Sequence, residues 1–146
     1  MIVESIEIAR RPEEVFAYLD QVERHPEWQE NLVSVEKQTE GPPGVGTRVV
    51  QVRRVPGGPR SFTLEVSEHD PPRKISFRGL DGPVRPVGSV TIEPVGDGSR
   101  SRVTQQLDLR GHGLIGKLVA PLARRDAAKQ FPKNQARLKE SLERSA

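Results

Sequence analysis

The chain has 146 residues, a net charge of +3, 34% hydrophobic residues and 29% charged residues. That is enough for one domain with its own core, and no run approaches the ~20 apolar residues that span a bilayer. The absence of cysteine excludes a disulfide framework, thiolate metal ligands and a thiol nucleophile. Glu4 and Glu7 break the first apolar stretch, which does not read as a signal peptide. A cytoplasmic protein with no membrane insertion is expected.

Ile2 to Ala9 alternates, with Ile2, Glu4, Ile6 and Ile8 on one side, and so predicts a strand. Arg11-Pro12-Glu13-Glu14 reads as a helix start, with proline at the first helical position and acids in the first turn. Val15, Phe16, Leu19 and Val22 continue at helical spacing until His25-Pro26, where proline pushes its predecessor out of the helical region. Trp28 follows in a turn or a second small helix.

From Leu32 the period becomes two. Val33 and Val35 open a strand that ends at Gly41-Pro42-Pro43-Gly44. Thr47 to Val55 is the next, closed by Pro56-Gly57-Gly58-Pro59. Phe62, Leu64 and Val66 mark a third, Ile75 and Phe77 a fourth, Val90 and Ile92 a fifth, and Val103, Gln105, Leu107 and Leu109 a sixth. Each is bounded by a turn rich in glycine or proline, and no helix intervenes, so the strands are expected to form an antiparallel meander.

The last third carries no strand pattern. Leu114, Ile115, Leu118, Val119 and Leu122 form one helical stripe, and Ala127, Phe131, Leu138 and Leu142 form another. At about 100° per residue, Leu122 and Phe131 face opposite ways. This change of face, with Pro132 beside it, predicts an interruption between Leu122 and Pro132. The order is strand, helix, short helix, six strands, long helix. A sheet with one apolar face must bury it, and the long helix is the element large enough to do so. The expected fold class is α+β: a curved antiparallel sheet of about seven strands around a long C-terminal helix, one domain over residues 1–146.

The order of elements and several short motifs resemble a known family. Arg11-Pro12-Glu13-Glu14-Val15-Phe16 and His25-Pro26-Glu27-Trp28 stand at its two helices, and Val45-Gly46-Thr47 opens a strand in its manner. Glu68-His69-Asp70-Pro71-Pro72-Arg73-Lys74-Ile75-Ser76-Phe77 is similar to its turn pattern. Gly98-Ser99-Arg100-Ser101-Arg102-Val103-Thr104 is similar to its penultimate turn and last strand, and Leu138-Lys139-Glu140-Ser141-Leu142-Glu143 to its closing helix. The chain resembles the START-like (SRPBCC) helix-grip superfamily, and within it the polyketide cyclase/dehydrase and lipid-transport group. The resemblance implies a helix-grip fold with a cavity. It transfers no catalytic motif, so no catalytic residue is assigned.

Other patterns have blander readings. Gly111-His112-Gly113-Leu114-Ile115-Gly116-Lys117 spells two phosphate-binding patterns. Leu118 stands where a magnesium-binding hydroxyl belongs, and no βαβ unit can form. A flexible strand-to-helix turn near the cavity mouth is the expected role. His25, His69 and His112 share no metal-ligand spacing, and neither a metal nor a cofactor is expected. His25, beside its proline, is expected to be exposed, and His112 to lie at the pocket entrance. Arg125, Lys129, Lys133 and Arg137 recur every four residues and read as the solvated face of an amphipathic helix. Nucleic acid is not an expected partner, because base-stacking aromatics are not interleaved with the cations.

The expected cavity wall comprises Trp28, Val49, Phe62, Leu64, Phe77, Leu107 and Phe131, with Gln51, Gln105 and Asn134 as polar groups within apolar stripes. The strand at 47–55 has apolar residues on both faces, which leaves its inward face open. A buried amide without a partner costs about 1–3 kcal/mol, so these three must meet each other, water or a ligand. The readable inward faces offer mainly amides, which orient a substrate but do not shuttle protons. The favoured function is a carrier or sequestering protein for an apolar or aromatic small molecule, lipid- or polyketide-like. The alternatives are a cyclase/dehydratase-type enzyme acting in the same cavity, and an interaction module with a closed core. A homo-oligomer is compatible with the sequence.

Overall fold

The computed structural model describes residues 1–144, so the last two residues of the expected 1–146 domain lie outside the described residues. Alternating β-branched and polar residues at Ile2–Ile8 form β1. Helix α1, Pro12–Asp20, starts on proline with Glu13 and Glu14 in its first turn. A 3₁₀ segment, Val22–Glu27, follows and ends on Trp28. The remaining strands are β2 (Leu32–Lys37), β3 (Arg48–Val55), β4 (Gly58–Asp70), β5 (Lys74–Gly79), β6 (Val84–Val95) and β7 (Arg100–Gly111). Helix α2 closes the chain over Gly113–Arg144.

All seven strands share one sheet in the order β1-β7-β6-β5-β4-β3-β2, and every pairing is antiparallel. β2 to β7 form the expected meander, and β1 adds to its β7 edge. The β3–β4 hairpin is tighter than its Pro56-Gly57-Gly58-Pro59 run suggests. Val55 pairs with Gly58, so Pro56 and Gly57 alone make the turn. Proline sets the first central φ, and Gly57 supplies the positive second one at 95°.

Paired residues in an antiparallel ladder share a face, so the registers trace the concave surface across the sheet. It runs through Ile6–Val103–Ile92 at one side, Leu107–Gly88–Phe77 in the middle, and Leu64–Val49 and Phe62–Gln51 at the other. Helix α2 packs on β1 and β7 and only lightly on β6. The core therefore lies at that side. Ile8, Val15, Phe16, Tyr18, Leu19, Trp28, Val90, Ile92, Val103, Leu138 and Leu142 form one buried cluster there, which includes Trp28 of the expected cavity wall.

Helix α2 answers the change of stripe differently from the expectation. It is one α-helix of 32 residues with Pro121 and Pro132 inside it, not two helices separated between Leu122 and Pro132. The buried positions Gly116, Ala120, Asn134, Gln135, Leu138 and Leu142 keep one face toward the sheet from end to end. The first apolar stripe consequently points outward: Leu114 is 79% exposed, Leu118 70% and Leu122 59%. Two surfaces account for the two stripes without a break between them.

Candidate functional site

The ambiguous strand β3 turns Val49, Gln51 and Arg53 to the concave face, because Val49 pairs with Leu64 and Gln51 with Phe62. Val49 and Gln51 are buried, while Val50 and Val52 on the other face are half-buried. Seven of the ten expected wall residues thus share one surface: Val49, Gln51, Phe62, Leu64, Phe77, Leu107 and Gln105. Phe77 lies over the middle of this surface. A Cβ on Gly88 would come within 2.7 Å of its ring, so the glycine makes room for the aromatic. Phe62, Phe77 and Leu107 remain half-buried, because α2 has no substantial packing on β3, β4 or β5. The result is an apolar concave surface covered by α2 along one side only, on which Val49 and Leu64 are buried and Phe62, Phe77 and Leu107 stay partly exposed.

The polar expectations divide. Gln105 donates to Gln135 Oε1 at 2.5 Å, and Gln135 Nε2 reaches the carbonyls of Glu4 (3.0 Å) and Val103 (3.3 Å). This pair ties α2 to β1 and β7. Asn134 is buried, and its Oδ1 has no hydrogen-bond partner among the described residues; the same holds for Trp28 Nε1. Phe131 is half-buried on α2.

Gln51 is engaged by a residue that the sequence reading missed. Arg53 Nε donates to Gln51 Oε1 at 3.1 Å, Nη1 to Asn31 Oδ1 at 3.3 Å and Nη2 to Gln29 Oε1 at 2.5 Å. Gln29 and Gln51 are buried. All three acceptors are neutral amides, and Arg53 makes no ion pair among the described residues. Burial alone pulls its pKa down to about 10: the charge is desolvated and uncompensated.

The remaining histidines and glycines fall into place around this surface. His25 is not the exposed side chain expected beside Pro26. It is part-buried, its Nε2 lies 2.7 Å from the Leu19 carbonyl, and its ring meets Trp28 edge-on at 5.5 Å. Burial lowers its pKa, and Arg53 adds to the effect. His69 Nε2 lies 3.0 Å from Asp20 Oδ1, with its ring against Phe16. His112 is exposed and lines an open groove of about 710 Å³ with Pro83, Arg85, Leu114 and Ile115. The glycine-rich run serves packing. A Cβ at Gly116 would sit 2.1 Å from the Pro83 carbonyl, and one at Gly111 2.5 Å from the Gly116 carbonyl. A second groove, of about 280 Å³, runs between Asp20–Glu23 and Thr47. None of the ten expected wall residues lines either groove. In the basic row, Arg125, Lys129 and Lys133 are exposed, and Arg137 folds back onto the Glu27 carbonyl and Glu30.

The model of the family "Polyketide cyclase / dehydrase and lipid transport" matches residues 2–143. The chain belongs to this family. Solved structures agree on the fold. The Zhui aromatase/cyclase from Streptomyces sp. R1128 is 18% identical with a TM-score of 0.80, covering 98% of this chain and 93% of its own. A START superfamily protein from Mycobacterium smegmatis is 16% identical with a TM-score of 0.79, covering 99% and 98%. A protein from Thermus thermophilus is 21% identical with a TM-score of 0.74, covering 97% and 95%. No curated protein sequence matches this chain. Among the described residues, no helix is long and apolar enough to cross a membrane.

Within this polyketide cyclase/dehydrase and lipid-transport domain, two functional-looking groups escaped the sequence reading for identifiable reasons. Gln135 stands four residues after Phe131 and three before Leu138, a spacing that places it on the buried face of α2 as squarely as Asn134. Arg53 continues the alternation Val49, Gln51, Arg53; its acceptors Gln29 and Asn31 lie in a loop whose position no periodicity reveals.

Proposed function

We propose that the cleft between β3–β5 and α2 binds an apolar or aromatic small molecule, lipid- or polyketide-like, which the protein carries or sequesters in the cytoplasm. The carrying observation is the part-exposed apolar surface of Phe62, Phe77 and Leu107. These residues share a concave face with the buried Val49 and Leu64, where the helix has no substantial packing on β3, β4 or β5. Covering it with ligand removes apolar area from water at roughly 25 cal/mol per Å². The wall residues are those expected from the sequence, with Trp28, Phe131 and Asn134 contributed from outside the sheet. Membership of a family that includes lipid transport supports the reading.

The enzyme alternative draws on one feature. His69 and Asp20 pair at 3.0 Å, the arrangement that orients an imidazole for proton transfer. The Zhui neighbour is an aromatase/cyclase, which keeps a polyketide-like substrate in view. The edge of Phe16 against the His69 ring places this pair beside the packed core, so carriage is the better-supported role.

The test is titration with neutral apolar probes: dodecanol, farnesol and 2-naphthylmethanol. Trp28, the only tryptophan, reports the two aliphatic probes by fluorescence, and native mass spectrometry reports the aromatic one. Saturable 1:1 binding of at least one probe class, weakened by Phe77→Asp in a folded variant, is expected. Silence across all three, with nothing copurifying with the native protein, overturns the reading.

A further inference from the structure

The cleft has a chemically distinct end at Arg53. The guanidinium has five N–H groups. Three are committed to the oxygens of Gln51, Asn31 and Gln29, leaving one N–H on each terminal nitrogen. Arg53 is part-buried, and a protein that takes a charge even partly out of water ordinarily supplies a counter-charge, because an isolated desolvated ion is costly. Here three side-chain amides hold the cation in place, and no carboxylate among the described residues pairs with it.

Two independent observations show the same imbalance. Across the β3–β4 hairpin, Arg53 pairs in register with Arg60, so two cations stand opposite each other on one face. Like charges in that position repel, and the repulsion turns to attraction once an anion lies between them. Trp28 adjoins Gln29 in the chain, and its buried Nε1–H has no acceptor among the described residues. The other unpaired buried side-chain atom among them, Asn134 Oδ1, is an acceptor carried by α2, so the unspent capacity on Arg53 and on Trp28 consists of donors. Two residues along β3 from Arg53, the face becomes the apolar floor of Gln51–Phe62 and Val49–Leu64.

We propose that Arg53, fixed by Gln29, Asn31 and Gln51 and backed by Arg60, is the head-group end of the cleft, and that the ligand is an amphiphile whose apolar body ends in a carboxylate. Two oxygens in a plane match the two remaining N–H groups of the fork. The three amides hold the guanidinium at the orientation required before the ligand arrives, which lowers the ordering cost of binding. This inference rests on the cleft being a ligand site and narrows what that site accepts.

The test compares dodecanoate with dodecanol at pH 8, where the acid is ionised. Wild-type protein is expected to bind dodecanoate at least about tenfold more tightly, the size of one or two charge-assisted hydrogen bonds. Arg53→Gln should erase that preference while leaving dodecanol affinity within about threefold, and Arg53→Lys should restore part of it. Urea midpoints check that each variant folds. Should Arg53→Gln not fold, Arg60→Gln provides the second variant and should lower the preference without touching the amide cage. Equal affinities for acid and alcohol in the wild type overturn the inference and leave the apolar cleft standing. A preference that survives Arg53→Gln also overturns it. If neither probe binds, the reading of the cleft falls together with it.

Discussion

The two sides of the concave face are built from similar residues and packed to different ends. Beneath α1 and the C-terminal half of α2, the side chains of Ile8, Ile92, Val103 and Leu138 are at most 1% exposed. On β3 to β5 the same kind of surface ends in half-buried Phe62, Val66 and Phe77, with a desolvated guanidinium at its edge. One helix cannot close both sides of a seven-stranded curved sheet, and α2 commits to β1 and β7. The closed side supplies stability. The open side gives up some of what it could have buried and gains a place for a ligand.

The largest effect expected from this contrast is on the closed side. Leu138→Ala should cost about 2–5 kcal/mol, the range for truncating a fully buried leucine, read from urea denaturation. Phe77→Ala removes a larger side chain, but one that stays partly exposed without ligand, and should cost less than Leu138→Ala and less than the ~3–5 kcal/mol of a fully buried phenylalanine. Equal losses would mean that the cleft is as tightly packed as the core and would remove the basis for a binding site.

Next in size is Gly116→Ala, at the seam where α2 leaves the sheet. Alanine gains about 1 kcal/mol over glycine inside a helix. Its Cβ would lie 2.1 Å from the Pro83 carbonyl, and the obstacle is backbone, which has little room to yield. The clash should win, for a net loss of about 1–3 kcal/mol. A stabilised variant would show that α2 can lift from the 81–83 turn, and that the grooves at its start are more adaptable than the packing implies.

The strands were legible because each ends in a glycine or proline turn, and α2 because its periods are plain. The site was half legible. Gln51 and Val49 alternate clearly, but Val50 and Val52 alternate equally well, and only pairing with Phe62 and Leu64 decides which set faces inward. Arg53 is hidden for the same reason, since a charged residue on an unassigned face reads as solvent-exposed. The expected break in α2 shows the opposite error. Two stripes on opposite sides of a helix suggest one surface and a kink, yet a surface stripe can equally be left uncovered.

A smaller effect separates the two sides by pH. Burial holds the folded-state pKa of His25 below its ordinary value. The unfolded chain then takes up a proton near a pH of about 6.5 while the folded protein resists. Stability from this group is fully present above a pH of about 6.5 and declines as pH falls from there toward the folded pKa. Urea midpoints at pH 7.5 and 5.5 should show that decline, and His25→Gln should flatten it relative to wild type. An unchanged slope would place His25 in contact with water and loosen the wall that Trp28 and His25 form beside Arg53.

The smallest effect should come from the outward stripe. Leu118 is 70% exposed although it sits in the longest apolar run of the helix. If α2 presents one face to the sheet throughout, as its buried positions indicate, Leu118 has nothing to lose on replacement. Leu118→Gln should change stability by no more than about 0.5 kcal/mol, the usual range for surface sites. The rule that apolar stripes are buried predicts the contrary, a loss near that of Leu138→Ala. A large loss at every protein concentration would mean that the stripe packs within the chain and that α2 is rotated or broken after all. A loss that grows with protein concentration, matched by a change in sedimentation, would mean that a second copy covers it. In either case the closed side would extend along the whole helix, and the contrast between its two halves would have to be redrawn.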